Sequence, residues 1–181
     1  FPSQNRIAHA SDQQIRIRGG YDILITDNDL GWKRRILGMS NQSGQFAFRN
    51  VRYTNNRITV PAGGVASDGM IYLDCNGNIA FSSSIVISGN FIHFESSSTS
   101  ADPFIFMDTA AGAQSLIESP IISNNVVTSN HHTQTQFLKI DTGVRKPIIK
   151  DNTVNGLGTF LNDLGASGVV NVDNYLNGIA Q

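Results

Sequence analysis

The stretch Ser119-Pro120-Ile121-Ile122-Ser123-Asn124-Asn125-Val126-Val127 alternates so that Pro120 and Ile122 share one face; a short turn ends in Asn125, and Val127 returns to that face. The same offsets recur at Ile23, Ile25, Asn28 and Leu30, at Val51, Tyr53, Asn56 and Ile58, at Ile85, Ile87, Asn90 and Ile92, and at Pro147, Ile149, Asn152 and Val154. A degraded sixth copy, Val169, Asn171, Asn174 and Leu176, carries Asn171 where an apolar residue belongs. A second pattern keeps step with the first. It is an apolar strand closed by an aspartate and followed by a glycine turn, at Asp74, Asp108, Asp141 and, in shorter form, Asp163. The turn asparagines lie 28, 34, 35, 27 and 22 residues apart, and the strand-closing aspartates 34, 33 and 22 apart. Two patterns that recur together at a shared, drifting period are an internal repeat.

Repeated hairpins would not place one turn type at one offset in every copy. A coil of parallel strands would: each strand pairs with its copy one circuit on, about 4.8 Å along the axis. Inward positions then stack as ladders. Ile23, Val51, Ile85, Pro120 and Pro147 form one, Ile25, Tyr53, Ile87, Ile122 and Ile149 the next, and Leu30, Ile58, Ile92, Val127 and Val154 a third. β-Branched residues fill such a core well. The asparagine suits the bend because it tolerates positive φ, and its amide can bond the asparagines above and below. Pro120 and Pro147 fit a strand's first residue, where a missing N–H costs least. The expected organisation is an entry segment or cap over residues 1–14, the coil over 15–178 and a tail at 179–181.

Composition agrees with an all-β chain. Asn, Ser and Gly abound, Glu occurs only as Glu95 and Glu118, and helix-forming runs are missing. The 181 residues suffice for one domain with a sizeable core. The formal net charge of -1 argues against a general nucleic-acid binder. That charge is uneven: residues 1–60 hold nine Lys or Arg against four Asp, and the remainder four against ten Asp or Glu. The lone Cys75 follows an apolar strand and is expected to be an inert buried thiol. No run is long enough for a membrane span, no signal peptide is visible, and a start at Phe1 suggests a cut or processed chain.

The repeat resembles the right-handed parallel β-helix of the pectate-lyase-like superfamily, asparagine ladder at the short turn included, over roughly residues 15–178 and about six coils. Within that superfamily the Ser/Asn/Gly-rich loops and scarce Glu look most like part of a bacteriophage tailspike or tail-fibre protein. The resemblance implies a homotrimer in the virion tail that binds, and often cleaves, bacterial surface polysaccharide such as capsule or O-antigen. Open sheet edges at the two ends of a coil invite pairing. A fragment, or a trimer whose neighbours cover those surfaces, is therefore expected.

Chemistry is expected in the loops between the asparagine turn and the Asp-closed strand, which vary most in length. Glu95 and Asp102 lie seven apart there and could act as the paired carboxylates of glycoside hydrolysis, the alternative being a solvated loop. The aspartate column could bind a cation, or each aspartate could accept backbone hydrogen bonds at its strand end. Adjacent His131 and His132 point opposite ways on an extended chain and make a poor chelating pair; His9 and His93 have no metal-spaced partner. No phosphate loop is present, so neither cofactor nor metal is expected. Trp32 beside Lys33, Arg34 and Arg35 could stack on and pair with an acidic glycan, and Tyr72, between Ile71 and Leu73, could present its ring outward. Three readings remain: a polysaccharide-binding tailspike segment, with or without depolymerase activity (hydrolase or lyase); a trimeric shaft or connector without ligand; and a cellular polysaccharide lyase or epimerase.

Overall fold

The structure, a computed structural model, describes residues 6–8, 13–17, 20–31, 35–40, 48–60, 70–75, 81–95, 103–109 and 116–181. These residues are all-β, with parallel strands in curled sheets. The chain visits three strand ladders in turn. The first face comprises Gly20–Thr26, Phe48–Thr54, Phe81–Ser88, Ile121–Ser123, Ile148–Lys150 and Val170–Val172, each paired in parallel with its copy. Past the asparagine corner, the second face stacks Arg6–Ala8, Asp29–Gly31, Arg57–Val60 and Phe91–Phe94 onto the start of Val126–Ile140. The third stacks Gln13–Ile17, Arg35–Ser40, Ile71–Asp74 and Pro103–Asp108 onto its end. Val126–Ile140 and Thr153–Asp163 cross from second face to third as continuous strands, with register shifts where they bend.

The three inward ladders of the repeat are the core. Leu30, Ile58, Ile92, Val127 and Val154 are buried, as are Val51, Ile85, Ile122 and Ile149, and Ile23 packs against them. A buried ring or thioether, Met70, Phe104, Phe137 or Phe160, precedes Ile71, Ile105, Leu138 and Leu161 in four of the third-face strands. Phe94 meets Phe104 edge-on at 5.8 Å, and Phe137 lies 5.3 Å from Phe160. Tyr53 is buried as expected of its ladder position, and its hydroxyl has no hydrogen-bond partner among the described residues. Cys75 is buried beside Ser82, 3.6 Å away, and burial pushes its thiol up to about 11.

The asparagine ladder is complete. Each Nδ2 donates to the next Oδ1: Asn28 to Asn56 at 2.9 Å, Asn56 to Asn90 at 3.0 Å, Asn90 to Asn125 at 2.9 Å, Asn125 to Asn152 at 2.9 Å and Asn152 to Asn174 at 2.8 Å. The backbone N–H of each donates to the same oxygen. The second amide proton reaches a carbonyl one coil back, as from Asn90 to Tyr53 O at 3.1 Å. These side chains are buried, and their donors and acceptors are used along the column.

One expectation about this corner is corrected. The positive φ belongs to the residue before each ladder asparagine: Asp27 (57°), Asn55 (56°), Gly89 (67°), Asn124 (55°), Asp151 (55°) and Asp173 (53°). The ladder asparagine is thus free to spend its whole amide on its neighbours. Five residues earlier stands a second left-handed column: Asp22, Asn50, Ser84, Ser119, Lys146 and Gly168, with φ between 48° and 65°. Each first-face segment therefore lies between two bends. Pro120 and Pro147 directly follow the first of these bends and directly precede Ile121–Ser123 and Ile148–Lys150.

The last described strand reverses direction. Ile179–Ala180 folds back antiparallel on Tyr175–Leu176 through Asn177 (φ 50°) and Gly178 (φ 79°), a two-residue turn with both residues left-handed. Asn177 also accepts the Gly156 N–H at 2.7 Å and donates to Leu157 O at 3.1 Å. Residues 179–180, expected as tail, are thus the last strand.

Candidate functional site

Strand alternation turns every second residue of the third face outward. Gly38, Tyr72, Phe106, Lys139 and Asn162 fall in one register column across five strands. Tyr72 and Phe106 are half-buried, with ring centroids 5.5 Å apart at 42°. Lys139 Nζ lies 4.4 Å from the Phe106 centroid, a cation–π contact. The Tyr72 hydroxyl donates to Asp108 Oδ2 at 2.5 Å, a short charge-assisted bond that fixes the ring's tilt. Asn162 Nδ2 donates to Gln136 Oε1 at 3.1 Å at the far side of the column. Two flat apolar rings, a carboxylate, an ammonium and an amide pair thus share one surface. Their strands are anchored on both flanks.

The aspartate column resolves into different jobs. Asp74 and Asp108 are register partners, Asp74 being buried and Asp108 half-buried. Asp141 follows, and its Oδ1 accepts the Thr142 N–H at 2.8 Å. Asp163 slips one residue, pairing with Ile140, and accepts the N–H groups of Gly165 at 2.8 Å and Ala166 at 2.7 Å. Two of the four aspartates are therefore turn acceptors at strand ends. Among the described residues no three His, Cys, Asp or Glu side chains gather closely enough to hold a metal ion, and no helix is long and apolar enough to cross a membrane.

The other residues singled out by sequence scatter. Glu95 is exposed, one residue past Phe91–Phe94; Asp102 lies outside the described residues, as do Trp32, Lys33 and Arg34. Arg35 opens the third-face strand Arg35–Ser40, opposite Gln13. His93 faces outward on the second face, its Nδ1 2.8 Å from Thr128 Oγ1, and His131 and His132 lie within Val126–Ile140. Sequence reasoning picked Tyr72 and missed Phe106 and Lys139. The signal was present: aligned on their closing aspartates, the strands put all three residues two places before the Asp.

Compared with known protein families, curated proteins and solved structures, the chain finds no match in any of the three.

Proposed function

We propose that this chain is a right-handed parallel β-helix of about six coils, part of a bacteriophage tailspike that recognises bacterial surface polysaccharide, capsule or O-antigen. Parallel strands that return to one sheet do so right-handedly in about 98% of connections, which supports the hand. The six ladder asparagines support the coil count. The observation that carries recognition is the Tyr72–Phe106 pair with Asp108: outward rings offer π surface to the C–H face of a sugar, and a neighbouring carboxylate accepts its hydroxyls. Mounted on stacked strands, the rings lose little freedom on binding, which favours affinity.

A homotrimer in the virion tail is part of the proposal. The first face turns a column of aliphatic residues outward, Val86, Ile121, Ile148 and Val170, beside a column of Thr26, Thr54, Ser88 and Ser123. Val170 is 45% exposed in the single chain. Packing against neighbouring copies would bury that stripe.

The test is a panel of capsular and O-antigen polysaccharides, scored for binding and for release of reducing and unsaturated ends. Binding supports recognition, and the type of end separates hydrolase from lyase. A folded trimer that binds nothing across the panel would favour the shaft reading.

A further inference from the structure

Positive charge is concentrated in the first third of the chain: nine of the thirteen Lys and Arg lie within residues 1–60, and none occurs between Arg57 and Lys139. Three of those cations, Arg49, Arg52 and Arg57, are exposed and belong to one circuit, on the strands Phe48–Thr54 and Arg57–Val60 either side of the asparagine corner. Arg49 precedes the left-handed Asn50, Arg52 lies between the two bends, and Arg57 follows beyond the asparagine corner. Among the described residues none of the three forms an ion pair. The nearby carboxylates are otherwise placed: Asp22 accepts from Asn50 Nδ2 at 2.6 Å and Asp27 from Thr26 Oγ1 at 3.0 Å. Asp29 sits beside Arg57 in register without pairing to it.

Exposed aromatic rings stand beside two of these arginines. Phe91, 43% exposed, is the direct register neighbour of Arg57 on the next coil. Tyr21, 59% exposed, lies under Arg49, whose guanidinium is 5.8 Å from the ring centroid. The Arg52 column continues as Val86, Ile121 and Ile148, and the Arg57 column as Phe91, Val126 and Thr153. Among the later cations, Lys139 lies over Phe106, Lys146 lies 3.6 Å from Glu118 and Lys150 lies 3.8 Å from Asp151.

We propose that Arg49, Arg52 and Arg57, with Phe91, form a second subsite that binds the carboxylates of an acidic polysaccharide. The inference rests on the polysaccharide reading and adds that the glycan carries uronate-type or sialate-type acids. Guanidinium matches carboxylate in a bidentate fork, and spaced, unpaired arginines beside an exposed ring suit acidic groups that recur along a sugar chain.

The experiment compares acidic capsular polysaccharides with the same polymers after carboxyl reduction, and with a single-stranded oligonucleotide. Each is titrated into the full chain, as wild type, as Arg52→Gln/Arg57→Gln and as Phe106→Ala, with thermal melts for all three. The expected result is at least tenfold tighter binding of an acidic polymer than of its reduced form. That margin falls with salt and disappears in the arginine variant at unchanged melting temperature. Equal affinity for both forms, no loss in the arginine variant, or tighter binding of the oligonucleotide would each overturn it. Binding of neutral polymers that Phe106→Ala abolishes and the arginine variant retains would sink this inference alone. Binding of no polysaccharide at all would sink both.

Discussion

Asn171 closes the asparagine ladder: its Oδ1 accepts a proton from Asn174 Nδ2 at 2.8 Å, where every earlier rung has an asparagine one coil further on. In the repeat, position 171 corresponds to the inward Ile25, Tyr53, Ile87, Ile122 and Ile149. Asn171 thus adds a third acceptor to the buried Asn174 amide, beside Ile149 O at 2.8 Å and Val172 O at 2.9 Å. Restoring the apolar residue by Asn171→Val is expected to change stability by less than about 1 kcal/mol, since Ile149 O and Val172 O still accept the Asn174 amide protons. Mid-ladder, Asn90→Ala is expected to cost about 3 kcal/mol or more, since it strands the amide and backbone N–H of Asn56. Urea denaturation of the two variants gives the comparison.

Gly156 separates backbone need from habit. A Cβ there would stand 2.1 Å from the Ser129 carbonyl oxygen, at a φ of 81°. Gly178 is also left-handed, at 79°, yet nothing lies within 4 Å of its Cβ position. Gly156→Ala is expected to cost about 3 kcal/mol, and Gly178→Ala about 1 kcal/mol. Equal melting-temperature shifts for the two would contradict the packing described where Thr153–Asp163 bends.

Burial raises the Cys75 thiol to about 11, Ser82 opposing and Asp74 and Asp108 adding to the rise. The folded thiol holds its proton more tightly than the unfolded one, whose pKa is about 8.5. Its contribution is therefore complete below pH 8.5 and is lost as pH climbs toward 11, an effect of roughly 3 kcal/mol. Cys75→Ala should flatten the stability–pH curve in that window, as read by denaturation at fixed pH steps. Folded protein should also resist iodoacetamide at pH 8.

Tyr53 carries a fully buried hydroxyl without a partner among the described residues, and burial raises its pKa strongly. Tyr53→Phe removes the orphaned group and keeps the ring, so stability should rise by about 1 kcal/mol. A loss of stability in calorimetry would mean that the hydroxyl is satisfied in solution.

The inward ladders were legible because period-2 alternation and a fixed asparagine offset both survive loop-length drift. Ile58, Ile92 and Val127 stand where the repeat puts them. The asparagine amide network followed from the spacing of one residue type. The left-handed residue did not, since Asp27, Asn55, Gly89 and Asn124 share a conformation and no single identity. The second left-handed column was hidden for the same reason, its members running from Asp22 to Lys146. The closing hairpin was written plainly in Asn177-Gly178, but the repeat reading absorbed it as an end. For the site, Tyr72 could be read from alternation alone. Its meeting with Phe106, Lys139 and Asp108 needed the register between coils.

The central claim is that the outward rings of the third face hold a polysaccharide. It is tested most directly by equilibrium binding of wild type and Phe106→Ala to the capsular and O-antigen panel. The account predicts that wild type retains at least one polymer and that Phe106→Ala weakens it by about tenfold, as expected for a lost aromatic contact of about 1–1.5 kcal/mol, with the melting temperature preserved. Undiminished binding by a folded Phe106→Ala, or no binding by folded wild type to any polymer, would contradict it.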